Sequence, residues 1–255
     1  MAERKRVLIA TPRWGVDPPE CADSQRVLSF LLGKWEAEPD CPYTFDFGSV
    51  PDMLVQLARE LCARETLAHN FDYLCMIDDD MLIPTESQAD GVFGGVYINI
   101  WKRLLAWDVD IVAPLAFMRN PPHYPVCFAR VGGVNPLTQN EQFRPVNILN
   151  YPKNTLFECD YVGFGAVCIK AEVLRGVGKP WFMSTNPTGE DILFCEKARK
   201  KGFRVFMDTT FCLKHLGPRQ YIDESYYERT DKQVADLRKY QGDWTPEKAR
   251  QNLAS

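Results

Sequence analysis

No apolar run in the chain approaches the roughly 20 residues needed to cross a bilayer. Positive charge is not in surplus either. The net charge is -4, which leaves no electrostatic footprint for nucleic acid. The nine cysteines are odd in number and never form a C-x-x-C pair. That argues against a disulfide framework or a zinc site of the usual spacing. They read instead as small core residues in a reducing cytoplasm, the expected location. Repeats and low-complexity stretches are absent. So is a Walker phosphate loop, and Gly163-Phe164-Gly165 lacks the third glycine of a dinucleotide fingerprint.

What remains is an ordinary globular composition, 45% hydrophobic and 25% charged over 255 residues. That length fits one large domain or two small ones. No linker-like segment separates the halves, which favours one domain. MAERKRVLIATPRW is too short in its apolar part for a signal-peptide core and lacks a small-residue cleavage site. Val7 to Ala10 therefore reads as a first strand, buried on both faces. Val27, Leu28, Leu31, Leu32 and Trp35 fall at helical spacing. Residues 43 to 47 make a second strand. Ser49-Val50-Pro51-Asp52 has the signature of a helix start. Val50, Met53, Leu54, Leu57 and Leu61 would be its buried stripe. Gly91 to Gly95 reads as a loop, and Tyr97, Trp101, Leu104 and Leu105 as a helix. A strand follows at 109–114; the segment 124–133 then runs into a Pro- and Asn-rich loop, and an aromatic-glycine strand lies within 155–177. A helix over 189–202 closes on Gly202, a strand spans 203–208, and Lys214-His215-Leu216-Gly217 leads into a polar tail. Strand and helix alternate through the first half, as in a parallel sheet covered on both faces. The second half makes the sheet mixed.

The most informative stretch is FDYLCMIDDDML, residues 71 to 82. An apolar strand runs into Asp78, Asp79 and Asp80. Ligands of open α/β sheets bind beyond the carboxyl ends of the strands. Alternation along an extended chain would aim Asp78 and Asp80 the same way. Two converging carboxylates need a cation or a proton between them. A hard ion such as Mg²⁺ is held by one or two carboxylates plus substrate phosphates. The plainer alternative is an acidic turn. Glu190 and Asp191 open a later helix, where acids also stabilise an N-terminus. His215 follows a strand and reads as ligand or core residue. His69 and His123 read as structural or surface.

VLIATP, YLCMIDDDM, YVGFGAVCIKAEVL, GEDILFCEKARKKGFRVFMD and KHLG occur in an order that resembles GT-A-fold glycosyltransferases, most closely the family-two nucleotide-sugar enzymes. The resemblance covers most of residues 6 to 217. It implies an α/β fold, a single GT-A-like domain with a Rossmann-like mixed sheet flanked by helices. It places a nucleotide-binding half at about 1–120 and an acceptor half at about 121–217. Residues 218–255 would be a polar or helical tail. The resemblance further implies transfer of a sugar from a UDP- or GDP-sugar to an acceptor hydroxyl, with inversion and with Mn²⁺ or Mg²⁺. Asp78, Asp80 and His215 would be the metal set. Asp191 would be the catalytic base, with Glu190 beside it. Thr11, Pro12, Asp46, Asp78, Asp79, Gly163 and Gly165 would line the nucleotide-sugar site. The family's Q-x-x-R-W-type acceptor motif is absent, which leaves the acceptor open and argues against a processive synthase. Tyr161, Phe164 and Trp181 either stack on sugars or pack in the core. The rival readings are a nucleotidyltransferase, which the single Arg and Gly of TPRWGVDPP do not favour, and a non-catalytic sugar or nucleotide binder.

Overall fold

The computed structural model describes residues 3–13, 18–86, 96–134, 141–185, 188–217 and 221–224. The chain runs β1 (Lys5–Pro12), α1 (Pro19–Glu36), β2 (Tyr43–Val50), α2 (Val55–Ala68), β3 (Tyr73–Ile77), β4 (Met81–Leu82), β5 (Thr85–Glu86), β6 (Val96–Tyr97), α3 (Ile100–Ala106) and β7 (Ile111–Leu115). It continues through β8 (Cys127–Val134), β9 (Glu141–Asn147), β10 (Leu156–Cys159), β11 (Tyr161–Val162), β12 (Ala166–Lys170), α4 (Ala171–Val177), α5 (Glu190–Lys200), β13 (Val205–Cys212), β14 (Lys214–Leu216) and β15 (Tyr221–Ile222). The expected Gly91–Gly95 loop and the tail beyond 224 lie outside the described residues.

Seven strands form the main sheet, in the order β10-β13-β7-β12-β3-β1-β2. β1 lies parallel to both β2 and β3. β12 is inserted antiparallel between β3 and β7, and β13 runs parallel to β7. The carboxyl ends of β2, β1, β3, β7 and β13 therefore share one edge. This is the mixed α/β sheet of a single GT-A-like domain. Two smaller three-stranded sheets stand beside it, β11-β8-β9 and β15-β14-β4.

Strand alternation sorts the core into two layers. Leu8, Ala10, Leu74, Met76, Ile111 and Ala113 face α2, α4 and α5. Val7, Ile9, Tyr73, Cys75, Ile77 and Val112 face α1 and α3. Leu28, Leu32 and Trp35 of α1 close the second layer with Trp101, Leu104 and Leu105 of α3. Eight of the nine cysteines are buried and all nine are free. Tyr161, Phe164 and Trp181 are core residues: Tyr161 donates to Glu196 at 2.7 Å, and Phe164 packs edge-on against Phe182 and Phe194. Among the described residues no helix is long and apolar enough to cross a membrane.

Three expectations need correction. Ser49-Val50-Pro51-Asp52 does not start a helix, because Ser49 and Val50 pair with Thr11 and Pro12 and extend β2. The second helix begins at Val55 instead, and Tyr97 lies in β6 rather than in a helix. More consequential is the face that α2 buries. Its inner residues are Ala58, Arg59, Cys62, Ala63 and Thr66. Leu54 and Leu57 are 50% and 53% exposed. A charged residue is inside, while Leu54 and Leu57 are outside.

Candidate functional site

β3 delivers the acids to the shared sheet edge and then stops. Asp78, Asp79 and Asp80 form a turn, with Met81 N–H donating to the Asp78 carbonyl at 3.3 Å. The turn is anchored where Asp78 N–H donates to the Gly165 carbonyl at 2.9 Å and Gln25 Nε2 donates to the Asp78 carbonyl at 3.1 Å. The extended-chain alternation expected for the triplet therefore does not apply. Each acid is aimed by its own partner.

Asp78 is held by Arg59. Arg59 Nη2 reaches both Asp78 oxygens at 2.9 and 2.8 Å and the Phe164 carbonyl at 2.9 Å. Its Nη1 pairs with Glu190. Burial, with the nearby Asp80 and Glu190 charges, pushes the Asp78 pKa up to about 6 although Arg59 pulls it down. Asp78 is thus held by a guanidinium from α2. Glu190 is likewise committed, and it faces Arg59 rather than a sugar site.

Asp80 has different company. His215 Nε2 lies 3.2 Å from Asp80 Oδ2, and Arg119 Nη1 lies 3.4 Å from the same oxygen. His215 Nδ1 donates to the Phe117 carbonyl at 2.9 Å. A carbonyl only accepts, so that contact fixes the proton on Nδ1 and turns Nε2 toward Asp80. Burial opposes charge on His215, but Asp80 and the Phe117 carbonyl outweigh it and leave its pKa raised. Burial also pushes the Asp80 pKa up, but His215 and Arg119 reverse that and hold it below the usual value. Among the described residues no three His, Cys, Asp or Glu side chains gather as a complete ion cage. An imidazole nitrogen beside a carboxylate does fit two positions of a divalent ion whose other ligands come from phosphates. The pair that fits is Asp80 and His215.

Asp191 stands in the first turn of α5. Its Oδ1 accepts the Ile192 N–H at 2.7 Å. Burial first, then the Glu190 charge, raise its pKa over the lowering pull of Arg59 and the helix amides. A carboxylate held above its usual range is suited to accept a proton near neutrality. Gly189 makes room for it: a Cβ there would stand 2.8 Å from Asp191 Oδ1. Gly189→Ala should therefore displace that carboxylate. Thermal denaturation of the variant should stay near wild type, because Gly189 lies at the N-cap rather than in the core.

Two cavities meet at this edge. One, of about 620 Å³, is lined by Pro12, Asp78, Asp79, Asp80, Gly163, Asp191 and His215, among others. The other, of about 490 Å³, lies between β1, β2 and α1 and includes Thr11, Gln25, Arg26, Phe47 and Ser49. Arg13 lines both. Gly163 is a tight fit under the first, since a Cβ would come within 2.9 Å of Val126 Cβ. Gly165 contributes only its carbonyl, and Asp46 lines neither cavity. Asp46 instead pairs with Arg6 at 3.3 Å on the exposed side of β2. It is Phe47, one residue on and 52% exposed, that borders the cavity.

The arginines were not anticipated. Arg13 and Arg119 sit in loops after β1 and β7, and a cation just past a strand's carboxyl end is a usable signal. Arg59 carries no such signal, because the groups it neutralises are 19 and 131 residues away.

The sequence matches no protein-family model and no curated protein. In structure the chain is similar to A197 from STIV, with 17% identity and a TM-score of 0.51, over 87% of this chain and 91% of that one. It is also similar to GalNAc-T7, solved with UDP, GalNAc and Mn²⁺, with 11% identity and a TM-score of 0.43. That match covers 84% of this chain and 44% of the other. The likeness is one of fold and does not reach the family-two group.

Proposed function

We propose that the chain is a metal-dependent glycosyltransferase that moves a sugar from a nucleotide-sugar donor to an acceptor hydroxyl with inversion. The observation that carries this reading is one cavity with the Asp80–His215 pair and Asp191 on its walls. The adjoining cavity, built from residues of the first half of the chain, suits a nucleoside. Phe47 offers a face for a base, and Thr11, Gln25 and Ser49 offer polar edges. Arg13, on the border between the cavities, suits a diphosphate crossing from one to the other.

Mn²⁺ or Mg²⁺ held by Asp80 and His215 would offset the charge that grows on the diphosphate leaving group. The chain's own residues do the rest. Arg119, 3.4 Å from Asp80 and on the wall of the same cavity, would be in place to meet a phosphate oxygen. Pro12, Asp79 and Gly163 form the walls against which the donor sugar rests. Asp191 takes the proton from the acceptor hydroxyl as that oxygen attacks the anomeric carbon. Because Asp191 acts as base and not as nucleophile, displacement is single and the anomeric centre inverts. Arg59 fixes Asp78 and Glu190, and so holds β3 and α5 at the spacing the reaction needs.

Calorimetry of UDP and GDP, each with and without Mn²⁺, tests the reading. At least one should bind more tightly with the ion. Loss of outer-shell support alone weakens metal sites by about 10–100-fold, so Asp80→Ala and His215→Ala should each weaken ion-dependent binding by at least that. Equal affinity with and without Mn²⁺, or unchanged affinity in Asp80→Ala, would sink the idea. If His215 were only a core residue, His215→Ala would lower the melting temperature and leave ion-dependent binding intact.

A further inference from the structure

The apolar stripe of α2 has a use. Leu54, Leu57 and Leu61 stand on one face of the helix by their spacing, and that face is turned outward. A second wall faces it, the segment around Trp181. Between them lies a cavity of about 550 Å³ lined by Met53, Leu57, Leu61 and Trp181 and by the charged Glu60, Arg64 and Lys179. Single exposed leucines are ordinary. A walled groove with apolar residues on both sides and charges at its rim is the kind of patch that marks a binding surface.

Its walls are fixed. Glu60, on α2, accepts the backbone N–H of Trp181 at 2.8 Å and of Phe182 at 2.9 Å. The Trp181 indole donates to the Leu174 carbonyl at 2.7 Å. The groove therefore exists before anything occupies it. It also joins the proposed reaction cavity. Met53 lines both, and Val55, the first residue of α2, lines the reaction cavity and is 37% exposed. Arg64 and Lys179 are its charged residues of positive sign, and Lys179 Nζ sits 5.3 Å from the centre of the Trp181 ring.

We infer that the acceptor is amphipathic: a hydroxyl-bearing head enters the cavity at Asp191 and an alkyl chain leaves over Met53 to lie between Leu57, Leu61 and Trp181. The inference rests on the glycosyltransferase reading. It is the continuity through Met53 that selects an acceptor's chain over other occupants. A nucleotide has its own, more polar cavity on the other side of Arg13. Burial of each methylene on preformed apolar walls is favourable without any polar contact.

The probe is a matched series of n-alkyl β-glucosides, from methyl to octyl, kept below micelle-forming concentrations. Each is titrated by calorimetry into the full chain with UDP and Mn²⁺, whose own binding is measured first. Affinity should rise by about fourfold per methylene along the part of the chain that the groove covers. Leu57→Gln should flatten that rise while leaving UDP binding and the melting temperature unchanged, because Leu57 is half exposed. UDP binding with no dependence on chain length overturns the inference alone. So does a rise that survives in Leu57→Gln. Loss of UDP binding removes the transferase reading and the acceptor assignment with it. Light scattering and flotation with phosphatidylcholine vesicles complete the test. A dimer or a vesicle association that Leu57→Gln abolishes, with no glucoside dependence, would assign the groove to a second copy or to a membrane and overturn the inference.

Discussion

Arg59→Met is expected to lower the unfolding free energy by about 3–5 kcal/mol, the usual cost of stranding a buried charge without its partner. Arg59 is 3% exposed and touches Asp78, Glu190 and the Phe164 carbonyl. Methionine fills similar space and supplies no charge, so two carboxylates would be left facing each other. The pH dependence identifies the cause. Asp78 already ionises at about 6 in the folded chain and at the ordinary carboxylate value when unfolded. Without Arg59 its folded value climbs further. A raised folded pKa gives stability that is full below the unfolded value and is lost as pH rises. The deficit of Arg59→Met against wild type should therefore be small below about pH 4 and largest near neutrality. Urea denaturation at several pH values measures it. A triple change that also makes Asp78→Asn and Glu190→Gln should recover part of the loss. A deficit independent of pH would assign the effect to packing.

Asp191→Asn is expected to slow transfer by about 10²–10⁴-fold, the usual contribution of a general base. Shape and helix start are kept, and Asp80 and His215 are untouched, so ion-dependent nucleotide binding should persist. In wild type the rate should rise with pH through the pKa of Asp191, which burial and Glu190 hold above the usual carboxylate range. In the asparagine variant that rise should vanish. Glu190→Gln should behave differently. Its partner is Arg59, so its loss should lower stability, and removing its charge should move the rise in rate to lower pH without abolishing it. Wild-type rates in Asp191→Asn alongside a collapse in Glu190→Gln would mean that the other carboxylate is the base.

Much of the sheet was legible because its strands are short, apolar and bounded. Val7 to Ala10, the run ending at Ile77 and the run over 109–114 became strands of one sheet, and their alternation made its two core layers. The antiparallel insertion of β12 was not legible, since strand order depends on pairings far apart in sequence. The face of α2 was misjudged for a related reason. Helical spacing says which residues share a face, but not which face turns inward. Leu54, Leu57 and Leu61 form a good stripe, yet Ala58, Cys62 and Ala63 are small enough to let α2 approach the sheet closely and bring Arg59 to its carboxylates. At the site, position along the chain was enough to bring Asp80, Asp191 and His215 to one cavity. The role of Asp78 was not visible, because a turn and a distant arginine decide where it points.

The small β15-β14-β4 sheet has a dynamic consequence. His215 is opposite Met81 and Ile222 in that sheet, Leu216 N–H donates to the Asp80 carbonyl at 3.0 Å, and His215 reaches the Phe117 carbonyl from it. These few bonds are what bring His215 against Asp80. They can break without disturbing the seven-stranded sheet, as small units open at lower free energy than a core. Each opening would separate the two side chains. On the proposed reading, an ion that bound only the closed arrangement would be weakened by the fraction of time the corner stands open and would close the corner in return. Ion concentration would set how often these strands exchange their amide protons with water, long before it affected the melting of the fold.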